Sequence, residues 1–443
     1  MRRVRILILL GALVAAAAAG LVSGGLWVNA AQDQVFLSVE HRYGDLAAAR
    51  GLTVSTQSTY GNQLFWETVC PLADPGQART EFSFFAQPQS ATDAGAALDL
   101  WVDLGDDLLE RTQGVRQEVL ATMEPGEERK VDLRLGEFYD CYPLEADLRL
   151  PCPVQTEALK AAFRDFFQIP VLEGEQISFW MRTNLNGVAD SFSWTSGSTD
   201  RYTFDPRYVL TREACYFTIR GSSVEGEPMD TSRIPGGYGL YRLPYDETGP
   251  RLEDLAMVYP LDQTDEVVDL TVSPEEGKLL IHTLRQGRYL LTVLDLPSLS
   301  PLQQLELAGE TRGEYALLQG EGCMVLCAFD GTDDQLTLVT GSDDADYQLR
   351  FTVPAQTARL SARSWWDPTA IAWDGERLAV AGILMGENSN QLECGFYAAV
   401  YTDQGMAYCG TYGSNLDQWD EGLDPNLWCS YAYEEPIGAA WSA

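Results

Sequence analysis

The sequence predicts an all-β chain: a β-propeller-like ectodomain of four-stranded blades, with one N-terminal transmembrane helix and one short amphipathic helix. Three observations carry this. An uncharged apolar stretch follows a cluster of arginines. Short apolar or alternating runs, punctuated by Gly, Pro and Asp turns, fill the rest. Those runs come four at a time, with equivalent glycines Gly277, Gly322 and Gly375 falling ~50 residues apart, the spacing of propeller blades.

Arg2, Arg3 and Arg5 precede the apolar run Ile6 to Val28, which is long enough to cross a ~30 Å hydrocarbon layer as a helix. Arginines before the run and Asp33, Glu40 and Asp45 after it orient the amino end towards the cytoplasm. Residues 1–33 therefore read as a membrane anchor, with the remainder extracytoplasmic in a single-pass cell-membrane protein. A cleaved signal peptide is the alternative, since Val28-Asn29-Ala30 has the small residues of a processing site, and it would make the protein secreted.

Beyond the anchor strand signals dominate. The exception is Thr156 to Gln168, where Leu159, Ala162, Phe163 and Phe166 share a helix face, Thr156 can cap the start and Pro170 stops the run. Its aromatic stripe reads as packing on a sheet. In residues 201–443 one unit comprises Val267 to Val272, Leu279 to Leu284, Tyr289 to Leu294 and Leu302 to Leu307, with a Gln286-Gly287 turn. A second comprises Tyr315 to Leu318, Cys323 to Phe329, Leu336 to Val339 and Leu349 to Val353. A third comprises Thr369 to Trp373, Leu378 to Ile383, Phe396 to Tyr401 and Met406 to Tyr412. Tyr208 to Leu210, Cys215 to Ile219, Gly239 to Leu243 and Leu255 to Tyr259 form a looser unit upstream. The tail, Leu427 to Ala443, is expected to add a final strand. A small sheet apolar on both faces must stack on neighbours to stay dry, and closing a ring removes its edges. Residues 34–200 are also strand-rich but less regular, and read as further blades or a β-sandwich.

These repeats resemble propeller blades of the WD40 or YVTN class. They depart from WD40 in lacking the Gly-His and Trp-Asp pair, for Trp373-Asp374 lies at the first turn of its unit. Tyr43-Gly44-Asp45 with Gly51-Leu52-Thr53-Val54, Leu64-Phe65-Trp66-Glu67-Thr68 and Tyr139-Asp140-Cys141-Tyr142-Pro143-Leu144 resemble segments of uncharacterised membrane-anchored proteins of clostridial-type bacteria. That resemblance implies an anchor and brings no activity or catalytic residue with it.

Composition narrows the function. Acidic residues outnumber basic ones 65 to 30 in a chain of 443 residues, a formal charge of −35. Such a surface repels phosphate backbones, so nucleic acid is excluded as a nonspecific partner. The 9 cysteines are an odd number and too sparse for a disulfide scaffold. Cys323 and Cys327 lie ~13 Å apart along a strand and cannot bond to each other. Cys141 with Cys152 is a conceivable short staple.

Catalytic signatures are scarce. The 2 histidines, His41 and His282, read as structural, and no G-x-S-x-G elbow, H-E-x-x-H, C-x-x-C, Walker loop or dinucleotide fingerprint occurs. No cofactor is expected. Acidic loops at Asp330, Asp333 and Asp334, at Asp343, Asp344 and Asp346, and at Asp417, Asp420, Glu421 and Asp424 are candidate calcium sites, the last being the richest. None matches an EF-hand loop. Trp365 and Trp366 in one loop, and Trp419 and Trp428 in another, are candidates to stack on a sugar or peptide. The expected function is a membrane-tethered extracytoplasmic binding or scaffold module for a protein, peptide or glycan ligand. The alternative is a carboxylate-dependent extracellular hydrolase of glycosidase type, which needs two facing carboxyl groups ~5–10 Å apart.

Overall fold

The computed structural model describes residues 2–60, 64–84, 98–194, 202–223, 228–308, 314–329, 334–356, 369–385, 392–415 and 437–442. The chain divides into two compact units, Met1–Asp93 with Thr311–Ala443, and Ala94–Glu310. The first unit opens with helix α1 (Arg2–Ala31) and strands β1 (Leu37–Gly44), β2 (Leu52–Tyr60), β3 (Leu64–Pro71) and β4 (Arg79–Phe84). The second contains β5 (Leu98–Val102), α2 (Gly105–Arg111), α3 (Gln113–Ala121), β6 (Glu128–Arg134), β7 (Leu144–Leu148), α4 (Thr156–Phe166), β8 (Gln176–Thr183) and β9 (Ala189–Trp194). It continues with β10 (Tyr202–Leu210), β11 (Ala214–Ser223), β12 (Gly239–Asp246), the two-residue β13 (Gly249–Pro250) and β14 (Ala256–Pro260). Then follow β15 (Asp265–Val272), β16 (Lys278–Arg285), β17 (Arg288–Asp295) and β18 (Pro301–Ala308). The first unit resumes with β19 (Glu314–Gly320), β20 (Cys323–Phe329), β21 (Gln335–Thr340), β22 (Gln348–Pro354), β23 (Thr369–Trp373), β24 (Leu378–Met385), β25 (Leu392–Thr402), β26 (Gly405–Ser414) and β27 (Ile437–Trp441).

The chain is mostly β, as the sequence predicts. Within the first unit the sheets run β19-β20-β21-β22, β1-β26-β25-β24-β23 and β27-β2-β3-β4. All their pairings are antiparallel. Their leading strands β19, β23 and β27 pack in succession. One apolar layer joins Val325, Leu338, Val380 and Tyr397, and a second joins Val54, Cys70, Ala381 and Phe396. The β1-β26-β25-β24-β23 sheet thus buries apolar side chains on both faces against its two neighbours, which is how blades are stabilised.

Two long-range pairings lace this unit. β1 adds to the outer edge of β26, with Leu37 opposite Ser414 and Gly44 opposite Tyr408. β27, the final strand the sequence predicts, adds to β2, with Leu52 opposite Trp441 and Thr56 opposite Ile437. The Asp374 turn fastens both. Its carboxylate accepts from Glu376 N at 2.9 Å and Arg377 N at 2.6 Å. Arg377 in turn donates to Ala48 O and Arg50 O and lies 4.1 Å above the Trp441 ring.

In the second unit the meander β15-β16-β17-β18 matches the best sequence repeat strand for strand. Its central turn places Gln286 at φ 52° and Gly287 at φ 79°, the two left-handed residues of a type I′ hairpin. Glutamine is a poor occupant of that first position. Gln286→Asn is expected to raise stability by roughly 0.5–1 kcal/mol, part of the ~1–2 kcal/mol that left-handed backbone costs a side-chain-bearing residue. The midpoint of urea denaturation checks this. The sheet β10-β11-β12 carries β14 on β12. β5, β10 and β15 pack in succession. The remaining sheets are β5-β7 and β6-β8-β9.

Three expectations are corrected. α2 and α3 were not foreseen. α4 ends at Phe166, and its N-cap residue is Gln155, with no side-chain cap hydrogen bond, so Thr156 does not cap it. Cys141 and Cys152 are both free thiols, so no staple forms between them. Cys323 and Cys327 are free and buried, as the strand spacing requires.

Helix α1 is continuous over Arg2–Ala31, and its described apolar side chains Leu13, Val14, Leu21, Val22 and Leu26 are exposed. Among the described residues no helix is long and apolar enough to cross a membrane. The side chains of residues 1–10, 12, 27–29 and 31 lie outside that description.

Candidate functional site

Of the ligand and metal candidates singled out above, Asp334, Asp343, Asp344 and Asp346 are described, but Trp365, Trp366, Trp419, Trp428, Asp417, Asp420, Glu421 and Asp424 lie outside the described residues. So do Asp330 and Asp333. Among the described residues no group of three or more His, Cys, Asp or Glu side chains could hold a metal ion. His41 is exposed, with Nε2 2.9 Å from Gly44 O. His282 is fully buried in β16.

A cavity of about 570 Å³ lies elsewhere, within the second unit. It lies just beyond the end of β5, whose alternation buries Leu98, Leu100 and Val102 and turns Asp99 and Trp101 outward. β5 pairs with β7. Helix α4 packs against β7 and buries Leu159 and Phe163. The predicted aromatic stripe is core: Phe163 stacks on Phe217 at 5.7 Å, and Phe167 meets Tyr241 edge-on at 4.9 Å. Packing one face of α4 leaves Arg164, Asp165 and Gln168 free to form one wall.

The opposite wall comes from the β5–α2 junction, with Asp103, Gly105, Asp107 and Arg111. The back is the segment from Tyr139 to Pro143. Asp103 N donates to Pro143 O at 3.0 Å, Tyr142 N to Ile169 O at 2.9 Å and Val171 N to Asp140 O at 3.2 Å. These backbone bonds clamp the segment between two neighbours.

Charge is arranged in pairs. Arg111 binds Asp107 at 2.7 Å, donates to Phe138 O at 3.0 Å and lies 4.7 Å above the Tyr139 ring. Glu145, 8% exposed, takes both Arg164 and, at 3.0 Å, Lys160. Arg233, from the loop before β12, grips Asp140 and reaches Cys141 Sγ at 3.5 Å. That contact holds the Asp140 carboxyl below the usual range. Behind them Tyr142 donates to Glu175, and burial, followed by that carboxylate, pushes the Tyr142 phenol well up. Tyr142→Phe removes a donor from a buried carboxylate and is expected to cost ~1–3 kcal/mol of stability, measurable by chemical denaturation.

Sequence reasoning missed this site, though its parts were visible. Tyr139-Asp140-Cys141-Tyr142-Pro143 is an unusually dense run of polar and aromatic residues, and α4 shows Lys160, Arg164 and Asp165 opposite its apolar face. What was invisible is that the two meet with the β5–α2 junction.

No family model matches the chain, and no curated relative matches it in sequence. Solved structures include β-propeller domains among its likenesses. The β-propeller domain of Cps50 (Swd1) from Myceliophteria thermophila is 11% identical, covering 53% of this chain and 69% of that one at TM-score 0.27. The β-propeller domain of the Trilobed protease from Pyrococcus furiosus is 12% identical, covering 54% and 65% at TM-score 0.22. A putative 6-phosphogluconolactonase from Bacteroides uniformis is 10% identical, covering 81% and 94% at TM-score 0.33. At such scores these likenesses carry no argument about activity. None of the three speaks to the clostridial resemblance.

Proposed function

We propose that this chain is a membrane-tethered, extracytoplasmic β-propeller that binds a ligand rather than transforming one. The observation that carries this reading is the cavity between α2, α4 and the Tyr139–Pro143 segment. Asp107, Asp140 and Glu145 on its rim are each matched by an arginine. Ion pairs of this kind fix the side chains that shape a site, as a binding cavity requires.

The tether is supported by Arg2, Arg3 and Arg5 ahead of the apolar run Ile6 to Val28. It is supported too by the unbroken course of α1 over 30 residues, ~45 Å at 1.5 Å per residue, against a hydrocarbon core of ~30 Å. The ring is supported by the four-stranded sheets, their successive leading strands and the lacing of β1 and β27 into blades.

Alkaline-washed membrane fractions, with antibody against an epitope added after Ala443 on intact cells, test tether and sidedness together. The chain is expected in the pellet with its epitope reachable from outside. Recovery in the soluble cytoplasmic fraction overturns the proposal.

A further inference from the structure

We propose that the α2–α4 cavity recognises a basic group, an alkylammonium or alkylguanidinium, carried by its ligand. This rests on reading the chain as a binding module and names what the module binds.

Five carboxylates line the cavity, Asp103, Asp107, Asp140, Glu145 and Asp165, against the guanidiniums Arg111 and Arg164. Both arginines are already committed: Arg111 to Asp107 and Phe138 O, and Arg164 to Glu145 and Leu144 O. Asp140 is committed to Arg233. Asp103 and Asp165 are left, on opposite walls, and neither has an ion pair among the described residues. The unmatched charge of the cavity is therefore negative, and an anionic ligand would find no open cation.

Two further observations point to an incoming donor. Tyr139 lines the cavity and is only 5% exposed. Its hydroxyl sits beside Asp107 yet closes no hydrogen bond of ordinary geometry. A buried phenol oxygen with lone pairs to offer is satisfied by an N–H donor brought by a ligand. Gly105 leaves room beside the charge: a Cβ there would stand 2.8 Å from Asp103 Oδ1, and the carboxylate would have to shift. The Tyr142 ring, buried in the back wall, adds an aromatic surface of the kind that favours cations.

The test is calorimetric titration of the full chain, in detergent micelles, with N-acetyl-lysine amide, N-acetyl-arginine amide, spermidine and, as the opposite charge, N-acetyl-glutamate amide. At least one cationic probe is expected to bind saturably and the glutamate probe not at all. An amino-acid amide as the better binder assigns a peptide side chain as the natural source, and spermidine as the better binder assigns a free polyamine. Asp103→Asn and Asp165→Asn, both exposed and neutral in size, are each expected to weaken binding about tenfold. Glu253→Gln, an exposed charge off the cavity, is expected to leave binding unchanged. Binding that the Asp103 and Asp165 variants leave intact, or preference for the glutamate probe, or no saturable binding of any cation, overturns the inference. Each of those results leaves the fractionation experiment above untouched, so the pocket assignment and the tethered-module reading fail separately.

Discussion

Acidification from pH 6.5 towards pH 3 is expected to remove about 5 kcal/mol of stability from the second unit through one residue, His282. Its imidazole is fully enclosed in β16, with Nδ1 lacking a partner, Nε2 3.4 Å from Thr271 Oγ1 on β15, and the Tyr289 ring of β17 at 6.1 Å. Desolvation lowers its pKa from 6.5 to about 3. The unfolded chain therefore takes up a proton below pH 6.5 that the folded chain refuses until about pH 3. Stability from this group is fully present above pH 6.5 and drains away as pH falls to about 3. Asp269, half-buried opposite it in β15 with its pKa raised by desolvation, acts in the opposite sense, since acid neutralises a charge the fold disfavours. The comparison must therefore be with His282→Leu, which removes the titrating group and keeps the site apolar. Urea denaturation at a series of pH values should show a steep loss in the native chain and a shallow one in the variant. Equal slopes would refute the assignment.

Phe217→Ala should destabilise the same unit by ~3–5 kcal/mol. Phe217 is wholly buried in β11 and meets three other rings: Phe163 at 5.7 Å, Tyr241 at 5.6 Å and Phe167 at 6.1 Å. Truncation removes the transfer free energy of a phenyl ring and leaves a void that α4, β11 and β12 cannot all relax to fill. Because Phe163 and Phe167 belong to the α4 region that walls the cavity, ligand binding should weaken with stability. Tyrosine fluorescence and calorimetry on the same sample would register both. A loss under ~1 kcal/mol would mean that the cluster repacks.

Much of the β architecture was legible because hairpins are local. Alternation, turn glycines and short spacings in β15–β18 suffice to mark four strands, and Gln286-Gly287 marks their central turn. The fate of α4's aromatic stripe was legible for the same reason. α2 and α3 were not: each is short, α2 begins at Gly105, and neither has a side-chain cap hydrogen bond to announce it. Partnership between distant segments was also hidden. Nothing near Leu37 states that its strand will meet Ser414, and nothing near Asp103 states that Tyr139 and Arg164 will face it. Such contacts depend on the whole chain's closure entropy and core, not on local propensity. Sequence reasoning looked for function among tryptophans and acidic loops because each was dense by itself, whereas the cavity is assembled from three sparse pieces.

The lacing of β1 and β27 has a consequence for biosynthesis. β2, β3 and β4 leave the ribosome early, but the strand that completes their sheet, Ile437–Trp441, emerges far later. At ~5–20 residues per second the wait is roughly 20–80 s. During that interval the β2 edge stands open with Val54 and Leu52 still awaiting burial. A nascent chain in this state invites aggregation, so its yield should depend on chaperones more strongly than its final stability would suggest.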